Sequence, residues 1–291
     1  MILVTGATGN IGNSLVEQLS RAGAGPVRAL TRDPARAALP GTVDVVAGDL
    51  ARPVSLKPAL DGASSLFLLS GVGAGGPGPD SAVEPVELYG EIVDVARRAG
   101  VAHVVLVSSI TVETHPHLGP AQQNLAVEEL LKESGMAWTV LRPTQFASNC
   151  LRWAAGIRDD GTVRVPYADV GLPTVHPADI AAVARVALTE ERHRGRSHVV
   201  TGPERITPRR QAAAIATATG RAVRLVEVER AEAQRELASV LGEESASAVL
   251  DVTGGDVNEA LLAVHDTVRR LTGVPARTFR AWAAENAGAF R

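Results

Sequence analysis

Ile2-Leu3-Val4-Thr5-Gly6-Ala7-Thr8-Gly9-Asn10-Ile11-Gly12 opens the chain and decides its fold. An apolar, β-branched run feeds a glycine-rich turn, and an amphipathic stretch from Asn13 to Ala22 follows. The order strand, turn, helix N-terminus is the context that a dinucleotide site requires. Gly6 permits the tight exit from the strand. Gly9 has no Cβ, so a pyrophosphate can approach its amide, and Gly12 lets the helix pack closely on the sheet. N–H groups at the helix start, among Thr8, Asn10 and Ile11, then meet negative charge at the positive end of the helix dipole. The plain alternative is a glycine turn that binds nothing.

Outward from this turn the pattern repeats. Val27 to Thr31, Val43 to Ala47, Leu66 to Leu69, Val104 to Ser108 and Thr139 to Arg142 read as strands two to six, with helices near 53–60, 81–99 and 121–134. The strands are apolar throughout rather than alternating, as both-sides burial of a parallel sheet demands. The expected fold class is therefore α/β, a Rossmann doubly wound parallel sheet whose ligand crevice lies at the carboxyl ends of the strands. Residues 1–143 form the NAD(P)-binding core. Residues 144–291 are expected to return to that core and to supply a smaller C-terminal substrate-binding lobe. In that half Thr162 to Val165 and Val199 to Thr201 read as strands. Asp179 to Leu188 reads as a helix capped by Asp179, Pro208 to Thr219 as another, and the tail from about 230 as almost wholly helical. The Gly/Pro-rich run 71–80 follows strand four and is either a lid over the crevice or a loop of no consequence.

Composition narrows the function. At 291 residues with 45% hydrophobic content, one large domain with a smaller lobe can bury a full core. A net charge of −3 and the lack of a basic run argue against nucleic acid. One cysteine, Cys150, excludes an internal disulfide and a cysteine-rich metal site, and no histidine–carboxylate spacing suggests a metal. With no charged leader and no run long enough to cross a bilayer, a cytoplasmic protein without a membrane partner is expected. Self-association stays open.

The glycines stand as G-x-x-G-x-x-G within T-G-A-T-G-x-I-G. This resembles the extended and atypical short-chain dehydrogenases/reductases, specifically the NmrA-like branch, which includes NADPH-dependent quinone reductases and redox-sensing regulators. The resemblance covers most of the chain. At the end of strand two, an NAD site places an acid for the ribose and an NADP site an arginine for the 2′-phosphate. Here Thr31 precedes Arg32, so NADPH is expected over NADH, unless Arg32 is an ordinary surface arginine. Asp33 is the contrary signal, although Pro34 after it suggests a helix cap. Gly48-Asp49-Leu50 matches the position where the family borders the adenine; a turn-forming Asp49 is the alternative. Leu69-Ser70-Gly71 should pass the cofactor ribose and phosphates. Ser108 and Ser109 should face the nicotinamide, and the backbone after Pro143 should run beside it.

The family's Tyr-x-x-x-Lys is absent. In the matching register, Pro120 stands in the tyrosine slot and Asn124 in the lysine slot, and neither can perform the proton transfer. Tyr89 and Tyr167 have Val93 and Gly171 four residues on. One reading is a reductase acting on a flat conjugated acceptor, a quinone or a polycyclic aromatic ketone, which needs little acid assistance. In that case Asn124 can hold the nicotinamide ribose, and Thr111, His115 or His117 are proton-donor candidates unless they are simply loop residues. The other reading is a catalytically silent NADP(H) sensor acting through a protein partner. Phe146, Trp153 and Tyr167 are scarce aromatics able to stack on the acceptor or merely to pack. His176, in Val175-His176-Pro177-Ala178-Asp179-Ile180, reads as a structural hydrogen-bonding residue.

Overall fold

The computed structural model describes residues 1–70 and 85–291, so Gly71 and the glycine-rich run read as a lid lie outside the described residues. The amino-terminal half contributes β1 (Ile2–Val4), β2 (Val27–Thr31), β3 (Asp44–Ala47), β4 (Ser65–Leu69), β5 (His103–Val107) and β6 (Ala137–Pro143). The remainder adds β7 (Gln145–Phe146), β8 (Thr162–Val165), β9 (Leu172–Val175), β10 (Arg196–Val200), β11 (Arg205–Ile206) and β12 (Arg224–Glu227). Seven of these form one sheet in the order β10-β6-β5-β4-β1-β2-β3, every neighbour parallel. The chain thus makes the Rossmann α/β fold, and strand order reverses between β1 and β4, where such sheets open a ligand crevice.

Pleating sorts the side chains. Val4, Val105 and Val107 join Ile11, Leu15 and Leu19 of the helix Asn10–Arg21 and Ile180, Val183 and Ala184 of the helix Pro177–Thr189 on one face. Leu3, Val104 and Leu106 join Leu88 and Ile92 of the helix Pro85–Arg98 and Val127 and Leu131 of the helix Gly119–Glu133 on the other. Burial on both faces explains strands without polar alternation. β10 carries the return to the sheet expected from the carboxyl-terminal half. Beyond the sheet, β8 pairs with β12, while β9 pairs with β7 and β11. Trp153, Phe279, Trp282 and Phe290 fill a separate small core there.

Two local expectations change. The helix expected to start at Asp179 starts at Pro177, because His176 Nδ1 accepts from the amide of Ala178 and caps it. Asp179, almost fully buried, instead accepts from the Arg277 amide at 2.6 Å and from its guanidinium. The tail is not one helical run. Glu243–Leu250 continues into an irregular turn, Asp251–Gly255, where Gly254 lies flat against the Tyr167 ring. A Cβ at Gly254 would overlap that ring, so the glycine pair is where helix gives way to packing.

Candidate active site

The opening turn has the geometry its glycines require. Gly6 sits at φ +60, a conformation that L side chains rarely adopt. Gly12, in the first turn of its helix, lies so near the Gly6–Ala7 backbone that a Cβ would stand 2.7 Å from the Gly6 carbonyl carbon and 2.9 Å from Ala7 Cα. Gly9 is the N-cap, no side chain caps this helix, and no acid lies in its first turn. Gly6, Thr8, Gly9 and Asn10 are exposed while Ala7 and Ile11 anchor the turn in the core. Amides left without a side-chain acceptor at an open helix start fit a pyrophosphate.

At the ends of β2 and β3 the side chains divide their duties. Arg32 is exposed and makes no hydrogen bond or ion pair among the described residues. Asp33 is committed elsewhere, accepting from the Ala35 amide at 3.1 Å to cap the short helix Pro34–Arg36. Asp49 likewise closes a turn, accepting from the Ala51 amide at 3.1 Å while its own amide donates to Ser55. Leu50 packs against the second core.

The carboxyl ends of β4, β5 and β6 open into a cavity of about 220 Å³. Leu69, Ser70, Ser108, Thr111, Asn124, Pro143 and Phe146 line it. Val249, Val252 and Leu261 from the tail close its far side. Asn124 is buried there and fully engaged: its Oδ1 accepts from Ser70 Oγ at 2.9 Å and its Nδ2 donates to the Pro120 carbonyl at 2.9 Å. The residues in the lysine and tyrosine slots are thus bonded to one another across one helical turn. Ser108 Oγ donates at 2.8 Å to Glu128, one turn beyond Asn124 on the same helix. Glu128 is fully buried and also holds Arg142 at 2.9 and 2.5 Å and Lys132 at 3.2 Å. Burial alone would raise its pKa, but hydrogen bonds from Arg142 and Ser108, together with the Arg142 and Lys132 charges, outweigh it and hold the carboxyl below its ordinary value. Sequence reasoning missed this group. Its signal was a carboxylate four residues after Asn124, on the face a helix turns inward.

The other candidates separate. Thr111 lines the cavity, its hydroxyl paired with Ser109 Oγ at 2.8 Å. His117 is exposed and is not part of the wall, because the turn Thr111–Thr114 carries the histidine loop away. His115 is buried, held by Thr114 Oγ1 and by the Asp256 carbonyl at 2.6 Å. Among the aromatics only Phe146 lines the main cavity. Trp153 packs in the small core and borders only an annex of about 40 Å³. Tyr167, expected to meet substrate, lines neither space: its backbone sits at φ 54, and its hydroxyl accepts from Arg230 behind the tail. Among the described residues no group of histidines, cysteines and carboxylates could hold a metal ion, and no helix is long and apolar enough to cross a membrane.

A dinucleotide cradle beside a largely apolar cavity defines the class, a pyridine-nucleotide oxidoreductase. The chain belongs to the NAD(P)H-binding family, whose model matches residues 6–191. It is similar to a (4-alkanoyl-5-oxo-2,5-dihydrofuran-3-yl)methyl phosphate reductase of Streptomyces griseus, 40% identical over all of this chain and 99% of the relative. An NAD(P)H azoreductase of Xenophilus azovorans is 35% identical over the same shares. The solved structure of an NADPH-dependent quinone oxidoreductase from Escherichia coli in complex with NADPH superposes with a TM-score of 0.77 at 26% identity, covering 98% of this chain and 99% of the other. The chain is an NAD(P)H-dependent reductase.

Proposed function

We propose that this reductase transfers hydride from NADPH to a flat conjugated acceptor, of the quinone or polycyclic aromatic ketone class, without a tyrosine–lysine acid. The observation that carries the reading is the Ser70–Asn124–Pro120 arrangement at the floor of an apolar cavity. The residues in the tyrosine and lysine slots are bonded to each other, and Ser108, just after β5, is committed to Glu128. A conjugated acceptor spreads the charge that arrives with hydride, so positioning supplies most of the rate. The names of the relatives, which print azo, quinone and dihydrofuranone chemistry, agree with such acceptors.

NADPH supplies the hydride when bound. The opening turn presents amides to its pyrophosphate, and the unpaired Arg32 guanidinium suits a 2′-phosphate. Leu69 and Ser70 form the wall between that seat and the cavity, and Asn124 fixes the Ser70 hydroxyl. Phe146 and the tail residues Val249 and Val252 exclude water around the acceptor. The test is consumption of NADPH at its absorbance band with a panel of quinones and aromatic ketones. Turnover supports the proposal. Tight NADPH binding with no turnover across the panel refutes this acceptor class.

A further inference from the structure

The cavity is apolar over most of its wall, and Arg152 is the one charged residue that lines it among the described residues. Arg152 comes from the 3-10 turn Ala147–Trp153, which follows β6 and β7, and it stands between the main cavity and the annex, lining both. Among the described residues no aspartate or glutamate lines either space. Among the described residues Arg152 makes no hydrogen bond and no ion pair. Arg142, ten residues earlier, is by contrast paired with Glu128 and Glu113. Arg152 is exposed, and its guanidinium stays charged in any accessible pH range.

Other polar groups share these walls. Thr144 Oγ1 is buried with no hydrogen-bond partner, although Thr144 lines the main cavity, and Trp153 Nε1 is in the same condition on the annex. Gln145 and Asn149, from the same segment, line the cavity with side chains that bond no described residue. Buried polar atoms are normally satisfied, so an orphaned hydroxyl in the wall that also carries an unpaired guanidinium points to a polar ligand. None of residues 6–12 contributes to this wall, so the anion that fits here is distinct from the cofactor pyrophosphate.

We infer that the acceptor carries an anionic oxyacid group, a phosphate monoester or a carboxylate, and that Arg152 binds it with help from Thr144, Gln145 and Asn149. The inference rests on the reductase reading for the word acceptor but not for the anion site itself. An arginine fork matches the paired oxygens of either group. Binding the anion at one end of the cavity orients the conjugated part toward the ends of β4 and β5. Arg152 is then a specificity-determining residue.

Calorimetry on the NADP⁺-saturated protein tests this with benzyl phosphate, phenylacetate and the neutral benzyl alcohol. Benzyl phosphate or phenylacetate should bind at least tenfold more tightly than benzyl alcohol. R152Q should remove that advantage, R152K should retain part of it, and NADP⁺ affinity should be unchanged in both. Which of the two anions binds better identifies the oxyacid. Equal affinity of the anionic and neutral probes, or an advantage that survives R152Q, overturns the inference. A parallel turnover assay with 1,4-naphthoquinone and its 2-carboxylate separates the two readings. No turnover of either, with R152Q still abolishing anion binding, sinks the proposed acceptor class and leaves the anion site standing.

Discussion

Glu128 is the residue whose removal should be felt most. It is fully buried, and its carboxylate joins Ser108 at the cavity floor to Arg142, which in turn reaches Glu113 at 2.6 Å. Replacing Glu128 by leucine strands the Arg142 guanidinium, whose side chain is only 13% exposed, and leaves Ser108 without its acceptor. Breaking a buried pair by removing one partner costs about 3–5 kcal/mol, and an unsatisfied buried hydroxyl costs about 1–3 kcal/mol. Glu113 stays near Arg142 and recovers part of this, so a loss of about 3–5 kcal/mol is the expected total. Against a typical stability of about 5–15 kcal/mol this leaves a marginal protein. Urea unfolding followed by tryptophan fluorescence should show the midpoint fall with the slope unchanged. The double variant E128L/R142M should recover most of the loss, because an apolar pair of similar volume is often neutral. A loss below about 1 kcal/mol in E128L, or a double variant no better than the single, refutes the reasoning.

The same group gives a pH dependence of known sign. The folded pKa of Glu128 lies below its unfolded value, so the unfolded chain binds the proton more readily. Its contribution is fully present above the ordinary carboxylate range, near pH 4.3, and is lost as pH falls through the lowered folded value. E128L should therefore have a shallower fall of stability on acidification below about pH 5 than the parent protein.

Three other outcomes follow from the cradle and the floor. Gly12→Ala places a methyl group against the Gly6–Ala7 backbone, so NADPH affinity should fall at least tenfold by fluorescence titration; unchanged affinity would show that the turn can shift at little cost. Arg32→Ala should weaken NADPH by roughly tenfold and NADH by less than twofold, as loss of a charge-assisted phosphate contact requires; equal losses would remove Arg32 from the 2′-phosphate. Asn124→Ala frees both Ser70 Oγ and the Pro120 carbonyl, and a destabilisation of about 1–2 kcal/mol by thermal unfolding is expected, with a stability equal to the parent counting against the bond.

The parts legible in the sequence were those set by the backbone. Gly6, Gly9 and Gly12 report a conformation and a close approach, and these are properties of the residue itself. The apolar strands report burial on both faces, and Pro34 after Asp33 reports a cap. What stayed hidden depends on partners far apart in the chain. His176 outcompeted Asp179 as a helix cap because Asp179 is claimed by Arg277, ninety-eight residues away. Tyr167 was drawn out of the candidate site by Arg230, and no periodicity announces that pairing.

Arg142 and Arg152 show the limit most clearly. They stand ten residues apart at the end of the same strand and in the turn after it, and in sequence they are equivalent basic residues. Helix Gly119–Glu133 places Glu128 beside Arg142, which turns that charge into scaffold. Among the described residues no carboxylate pairs with Arg152, so its charge remains for something that enters the cavity. The chemistry available at the end of β6 is therefore decided by what the neighbouring helix lacks. A carboxylate introduced there, as in Asn149→Asp, should pair with Arg152 and reduce binding of an anionic ligand while leaving a neutral one unaffected.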